Sequence, residues 1–173
     1  MLCQFARQFP PFVADFMESS RDLGRRFREE TITDMMMAAL KIAGGQRVIV
    51  RFPNEQETGG DMEWNFVNPY DRTFYRLVIQ AKCAYPNGPF WTRHSYRHLS
   101  HRTDNKFQAD VLCEYARQAR YPTYPLYFFY NPADTCSLAD RDGWPGIEGV
   151  NLANGYQIRS YATPKPEAPF RYP

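Results

Sequence analysis

The chain has 173 residues, a formal net charge of +2, 43% hydrophobic residues and 23% charged ones. That length suits one ordinary domain with a single core, and the composition places it among soluble globular proteins. No apolar run approaches the roughly 18 residues that span a bilayer, and the first residues lack a basic-then-apolar signal pattern, so the expectation is a cytoplasmic protein with no membrane partner.

Residues 1–24 read as a short helical or irregular leader in which Phe5, Phe9, Phe12, Val13 and Phe16 cap the main core. From about Arg26 to Ala43 the apolar positions Ile32, Met35, Met36, Ala39, Leu40 and Ala43 follow the spacing of an amphipathic helix, stopped by Gly44-Gly45. At about 100° per residue, Glu29 falls about 50° from the centre of that apolar face and Glu30 about 150°. Glu29 therefore points inward, although both acids also suit the positive end of the helix dipole. Gln46 to Phe52 reads as a first strand rich in β-branched residues. The polar turn Pro53 to Thr58 follows, and its Glu55 and Glu57 are either solvated or spare carboxylates for a metal.

Two further strands come next, Asp61 to Phe66 and Phe74 to Cys83, and the turn-forming run Asn68-Pro69-Tyr70-Asp71-Arg72 joins them as a hairpin. Arg93, Arg97, Arg102 and Lys106, interleaved with His94, His98 and His101, then form a basic stretch. It suits a phosphate backbone, with Trp91 and Tyr96 available for stacking, or else is a solvated surface loop. Phe107, Val111, Leu112, Tyr115 and Ala116 mark a second helical face, ended by Tyr121-Pro122, and Leu126 to Tyr130 reads as a fourth, buried strand. Asn131 to Pro173 is turn-rich, with a short apolar patch and an extended, proline-rich tail. The four cysteines are too widely spaced for a zinc motif and read as reduced thiols.

The chemistry concentrates on the hairpin. Side chains two apart on a strand share a face, so Asp61 and Glu63 point one way, and Gln80 and Lys82 share one side at the end of an otherwise apolar strand. Pairing the strands gathers all four. Carboxylates and an amide oxygen are hard donors suited to Mg²⁺ or Mn²⁺, which makes Asp61, Gln80 and Glu63 candidate metal ligands. A lysine beside them stabilises negative charge on an attacking hydroxide and on phosphate.

The order helix with an early Glu, strand, strand beginning Gly59-Gly60-Asp61, strand ending Gln80-Ala81-Lys82, helix, strand resembles the PD-(D/E)xK nuclease superfamily. Within it the likeness is to the restriction-endonuclease-like branch, including Mrr-type enzymes, that carries Gln in place of the second acid. The resemblance spans residues 25–131, leaving 1–24 as the leader and 132–173 as a C-terminal extension. It implies an α/β fold with a restriction endonuclease-like core of order α-β-β-β-α-β, a mixed sheet flanked by helices. It also implies that Asp61 binds metal, that Gln80 fills the second acidic position and that Lys82 is catalytic. Gly59-Gly60 stands where the superfamily has its Pro. A helix Glu assists the metal, and the resemblance does not choose between Glu29 and Glu30; Gln108 would orient substrate or water. The implied cofactor is Mg²⁺ or Mn²⁺ and the implied substrate DNA, with a homodimer or a regulatory or immunity protein as possible partners. The expected function is a metal-dependent endonuclease in prokaryotic defence or a toxin. The alternative is a non-catalytic module of nuclease-like fold that binds nucleic acid or a partner.

Overall fold

Apolar spacing and local caps decide where the first helices fall. The structure, a computed structural model, describes residues 2–24, 27–44, 51–68, 70–85, 95–96, 98–103 and 105–162. Helix α1 (Leu2–Asp22) is a full helix rather than an irregular leader. Its Phe9, Val13 and Met17 are core residues, whereas Phe12 faces outward. Helix α2 (Glu29–Gly44) buries Ile32, Met36 and Leu40 of the expected face, but that face is turned toward Thr33 and Met37, which are also buried, while Met35, Ala39 and Ala43 are only half-buried at its side. Of the expected first strand, residues 46–50 lie outside the described residues; Arg51 forms an antiparallel bridge with Glu63.

The expected polar turn before the hairpin is instead a one-turn helix, α3 (Glu55–Thr58). Asn54 caps it, accepting from the Gln56 amide at 3.2 Å and donating to Glu57 Oε1 at 3.1 Å. Gly59, at φ 68°, ends it in the left-handed conformation. The hairpin follows as β1 (Met62–Asn68) and β2 (Thr73–Tyr85), antiparallel and in register from Met62 opposite Ile79 to Asn68 opposite Thr73. Asp71 locks the turn by accepting from the Thr73 amide at 2.9 Å and hydroxyl at 2.6 Å.

Short strands β3 (Ser95–Tyr96), β4 (Arg102–Thr103) and β5 (Lys106–Phe107) precede helix α4 (Gln108–Gln118). Strand β3 adds to the end of β2, and β4 pairs with β5 as a separate ribbon. The buried face of α4 is Gln108, Ala109, Leu112, Cys113 and Ala116. That face is turned from the expected one, because Val111 and Tyr115 are only half-buried at its sides. Strand β6 (Thr123–Tyr130) lies parallel to β2.

Beyond residue 131 the chain is not merely turn-rich. Helix α5 (Ala133–Arg141) packs on α1, strand β7 (Val150–Asn154) joins the sheet antiparallel to β6, and helix α6 (Gly155–Ala162) packs on α4. The proline-rich tail lies outside the described residues. The fold is therefore mixed α/β: an open sheet of order β1-β2-β6-β7 with parallel and antiparallel pairs, flanked by helices. On one face α1 and α2 cover Met62, Ile79, Ala81, Cys83 and Phe128; on the other α4 and α6 cover Val78, Tyr127 and Phe129. Each fully buried Ile, Leu or Met contributes roughly 1.5–3 kcal/mol, so the two cores hold β2 rigidly from both sides. Among the described residues no helix is long and apolar enough to cross a membrane.

Candidate active site

Strand β2 outruns β1. The paired register begins at Met62 opposite Ile79, so beyond Ile79 the strand keeps its β6 partner but loses β1. Asp61, the residue just before β1, fills the gap. Its amide donates to the Ile79 carbonyl at 2.9 Å, continuing the ladder by one bond. Its carboxylate Oδ2 then accepts the Ala81 amide at 2.7 Å and Gln80 Nε2 at 2.6 Å. The glycines make this approach possible: a Cβ on Gly59 would lie 2.6 Å from the Leu112 amide nitrogen, and one on Gly60 would lie 2.8 Å from Val78 Cγ2.

By strand alternation Gln80 and Lys82 share the side of β2 that carries Val78, whereas Ile79, Ala81 and Cys83 belong to the opposite core. Gln80 and Lys82 are almost fully buried, at 1% and 2% exposure. A buried ammonium needs a counter-charge. Glu29, in the first turn of α2, supplies it, with Oε1 3.2 Å from Lys82 Nζ and a quarter of its side chain exposed. Of the two adjacent acids, then, Glu29 is brought to Lys82, while Glu30 is exposed.

Glu63 is carried elsewhere. Although it shares a strand face with Asp61, its carboxylate pairs with Arg76 Nη1 at 3.2 Å and accepts the Tyr115 hydroxyl at 3.3 Å. One strand step of about 6.6 Å per residue pair separates it from Asp61, and the Arg76 partner takes its charge.

Two further residues, which the hairpin alone would not reveal, lie beside it, and one of them, Glu55, acts electrostatically on Asp61. Gln108, the first residue of α4, is 2% exposed and donates from Nε2 to Glu55 Oε1 of α3 at 2.5 Å. Glu55 was legible only as a loop acid; the Asn54-x-x-Glu57 capping pattern is the signal that puts it on an ordered turn.

The electrostatics follow from burial. Asp61 is pushed up from 3.8 to about 7, chiefly because its charged form is desolvated. The Ala81 amide and Lys82 oppose the rise, and Glu55 and Glu29 add to it. Burial also pushes the Cys83 thiol far above its usual range, so it stays protonated and is no nucleophile.

The donor set suits a hard divalent cation. Among the described residues no three His, Cys, Asp or Glu side chains form a metal-holding group. The oxygens here are of mixed type, carboxylates from Asp61 and Glu55 and amides from Gln80 and Gln108. Gln80 Oε1 and Gln108 Oε1 are both buried without a hydrogen-bond partner. Each such orphan costs roughly 1–3 kcal/mol, and an oxygen-ligated cation, directly or through a water it carries, would satisfy it.

Of the expected nucleic-acid contacts, Arg102 and Lys106 lie exposed on the β4–β5 ribbon that leads directly into Gln108. The Arg102 guanidinium stacks over Phe107, 4.3 Å from the ring centre. Arg93 and Arg97 lie outside the described residues. His98 and His101 sit in a turn, not on a helix face, with rings 6.0 Å apart.

No curated protein matches this chain in sequence. A family of unknown function, DUF6615, matches residues 2–171, and the chain belongs to that family.

Proposed function

We propose that the protein is a metal-dependent nuclease that hydrolyses phosphodiester bonds in DNA, built on a restriction endonuclease-like core. The observation that carries the reading is the meeting of Asp61, just ahead of β1, with Gln80 and the Ala81 amide, Gln80 being two residues from the buried Lys82. Asp61 and Gln80 would hold Mg²⁺ or Mn²⁺. Such an ion supplies Lewis acidity and an ionised water at neutral pH. Lys82 contributes a fixed positive charge in a water-poor setting, where it stabilises charge developing on the phosphate. Glu29 holds that ammonium in place, and α2 holds Glu29. Arg102 and Lys106 would draw the nucleic-acid backbone toward the ribbon beside Gln108.

The reading extends to an endonuclease of prokaryotic defence or a toxin, acting in the cytoplasm on DNA, alone or as a homodimer. A plasmid-degradation assay tests it with Mg²⁺, Mn²⁺ or EDTA. Nicking that requires the metal and disappears in Asp61→Ala supports the enzyme. Salt-sensitive DNA binding with no cleavage under any metal would make the chain a non-catalytic binding module instead.

A further inference from the structure

We infer that Glu55 is a metal ligand delivered by α3, and that Gln108 is the positioning residue that aims it at the cation held by Asp61 and Gln80. The inference rests on the nuclease reading and adds a carboxylate that the Asp-Gln-x-Lys pattern does not contain.

Three observations converge on it. Glu55 lies on a short helix that Asn54 caps on one side and Gly59 terminates on the other, so its position is fixed by local bonds rather than by loop drift. The Gly59 and Gly60 backbone runs in contact with α4 and β2, which seats α3 directly over the start of α4. The Gln108 amide, almost completely buried, donates to Glu55 Oε1 at 2.5 Å, while its own oxygen has no partner. A buried amide that spends its donor on an exposed carboxylate and leaves its acceptor unpaired is costly unless a water carried by the cation reaches that acceptor. Glu57, two residues on in the same helix, is used differently: it accepts from Asn54 and belongs to the cap.

The experiment is Mn²⁺ binding by the full chain without nucleic acid, followed by electron paramagnetic resonance of free Mn²⁺, on wild type, Glu55→Gln, Glu57→Gln, Gln108→Leu and Asp61→Asn. Glu55→Gln is expected to weaken binding about tenfold or more, and Gln108→Leu to weaken it less, as an outer-shell loss does. Glu57→Gln is expected to leave binding unchanged. Because Glu55 is exposed, its replacement leaves the fold intact, which a thermal melt in EDTA verifies. The Mn²⁺-induced rise in Tm should shrink in Glu55→Gln by the amount the lost affinity dictates. Unchanged binding in Glu55→Gln beside lost binding in Asp61→Asn would overturn this inference and leave the nuclease reading standing. Equal losses in Glu55→Gln and Glu57→Gln would also overturn it, reducing the effect to the charge of α3. Wild type that binds no Mn²⁺ at millimolar concentration would sink both.

Discussion

Asp61→Asn should stabilise the metal-free protein above neutral pH, although it destroys the proposed function. In the native state Asp61 holds its proton up to about 7, against an ordinary value of 3.8. As pH rises from 4 to 7 the unfolded chain ionises this carboxyl while the native state still binds the proton. Native protein then holds more protons than unfolded, so stability falls across that window and levels off above it. Carried through in full, the difference corresponds to at most about 4 kcal/mol. Asparagine cannot ionise, yet its side-chain oxygen can still accept from Gln80 Nε2 and the Ala81 amide. The assay is urea unfolding of both proteins in EDTA at pH 4, 6 and 8. Taking the difference between variant and wild type removes every other titrating group, and the variant's advantage should be near zero at pH 4 and largest at pH 8. In thermal terms the pH 8 gap is on the order of 10 °C. A variant less stable than wild type at pH 8, or a difference flat with pH, would refute the reasoning that a desolvated carboxylate awaits a cation here. Saturating Mg²⁺ should shrink the gap by stabilising wild type alone.

Other positions give sharper tests of single contacts. Gly59→Ala should cost about 3 kcal/mol or more, since it strains a left-handed residue and drives a Cβ to 2.6 Å from the Leu112 nitrogen. Gly143→Ala, equally left-handed but with nothing within 4 Å, should cost only about 1 kcal/mol in the same chemical denaturation series. Glu29→Gln strips Lys82 of its counter-charge and should cost about 2 kcal/mol, less than for a fully buried pair because Glu29 is partly exposed. Glu30→Gln, exposed and outside that pair, should stay within about 0.5 kcal/mol. Lys106→Ala should weaken binding to duplexes of any sequence equally and lower the salt dependence of log K by roughly one unit, read from fluorescence anisotropy across a salt series.

The hairpin and its neighbours were legible because their signals are local and periodic. Alternation along Phe74 to Cys83 and the turn chemistry of Asn68 to Arg72 set the pairing, and the spacing of Ile32, Met36 and Leu40 set the buried side of α2. The same helical arithmetic turns Glu29 rather than Glu30 inward, and Glu29 is the one that meets Lys82. What alternation could not give was distance. It put Glu63 on the face of Asp61, but only the packed structure reveals that Arg76 and Tyr115 capture it. Strand β7 went unread because its pattern is short and half-polar, and its strand character comes from pairing with β6. Helix α3 hid inside a run of polar residues, since a single turn has no hydrophobic period and only its cap betrays it. For α4, apolar residues at the flanks of the buried stripe drew the expected face off centre, and a buried glutamine is invisible to any hydrophobic pattern.

The most direct test of the central claim is the rate of supercoiled-plasmid cleavage by Lys82→Met in Mg²⁺, beside wild type. Methionine keeps the apolar stem in its pocket and removes only the charge that Glu29 pairs with. If Lys82 stabilises charge on the phosphate, cleavage should fall by about 10² or more while DNA affinity changes little, in a protein that still melts cooperatively. Cleavage by the folded variant at the wild-type rate, or cleavage by wild type undiminished in EDTA, would contradict the account.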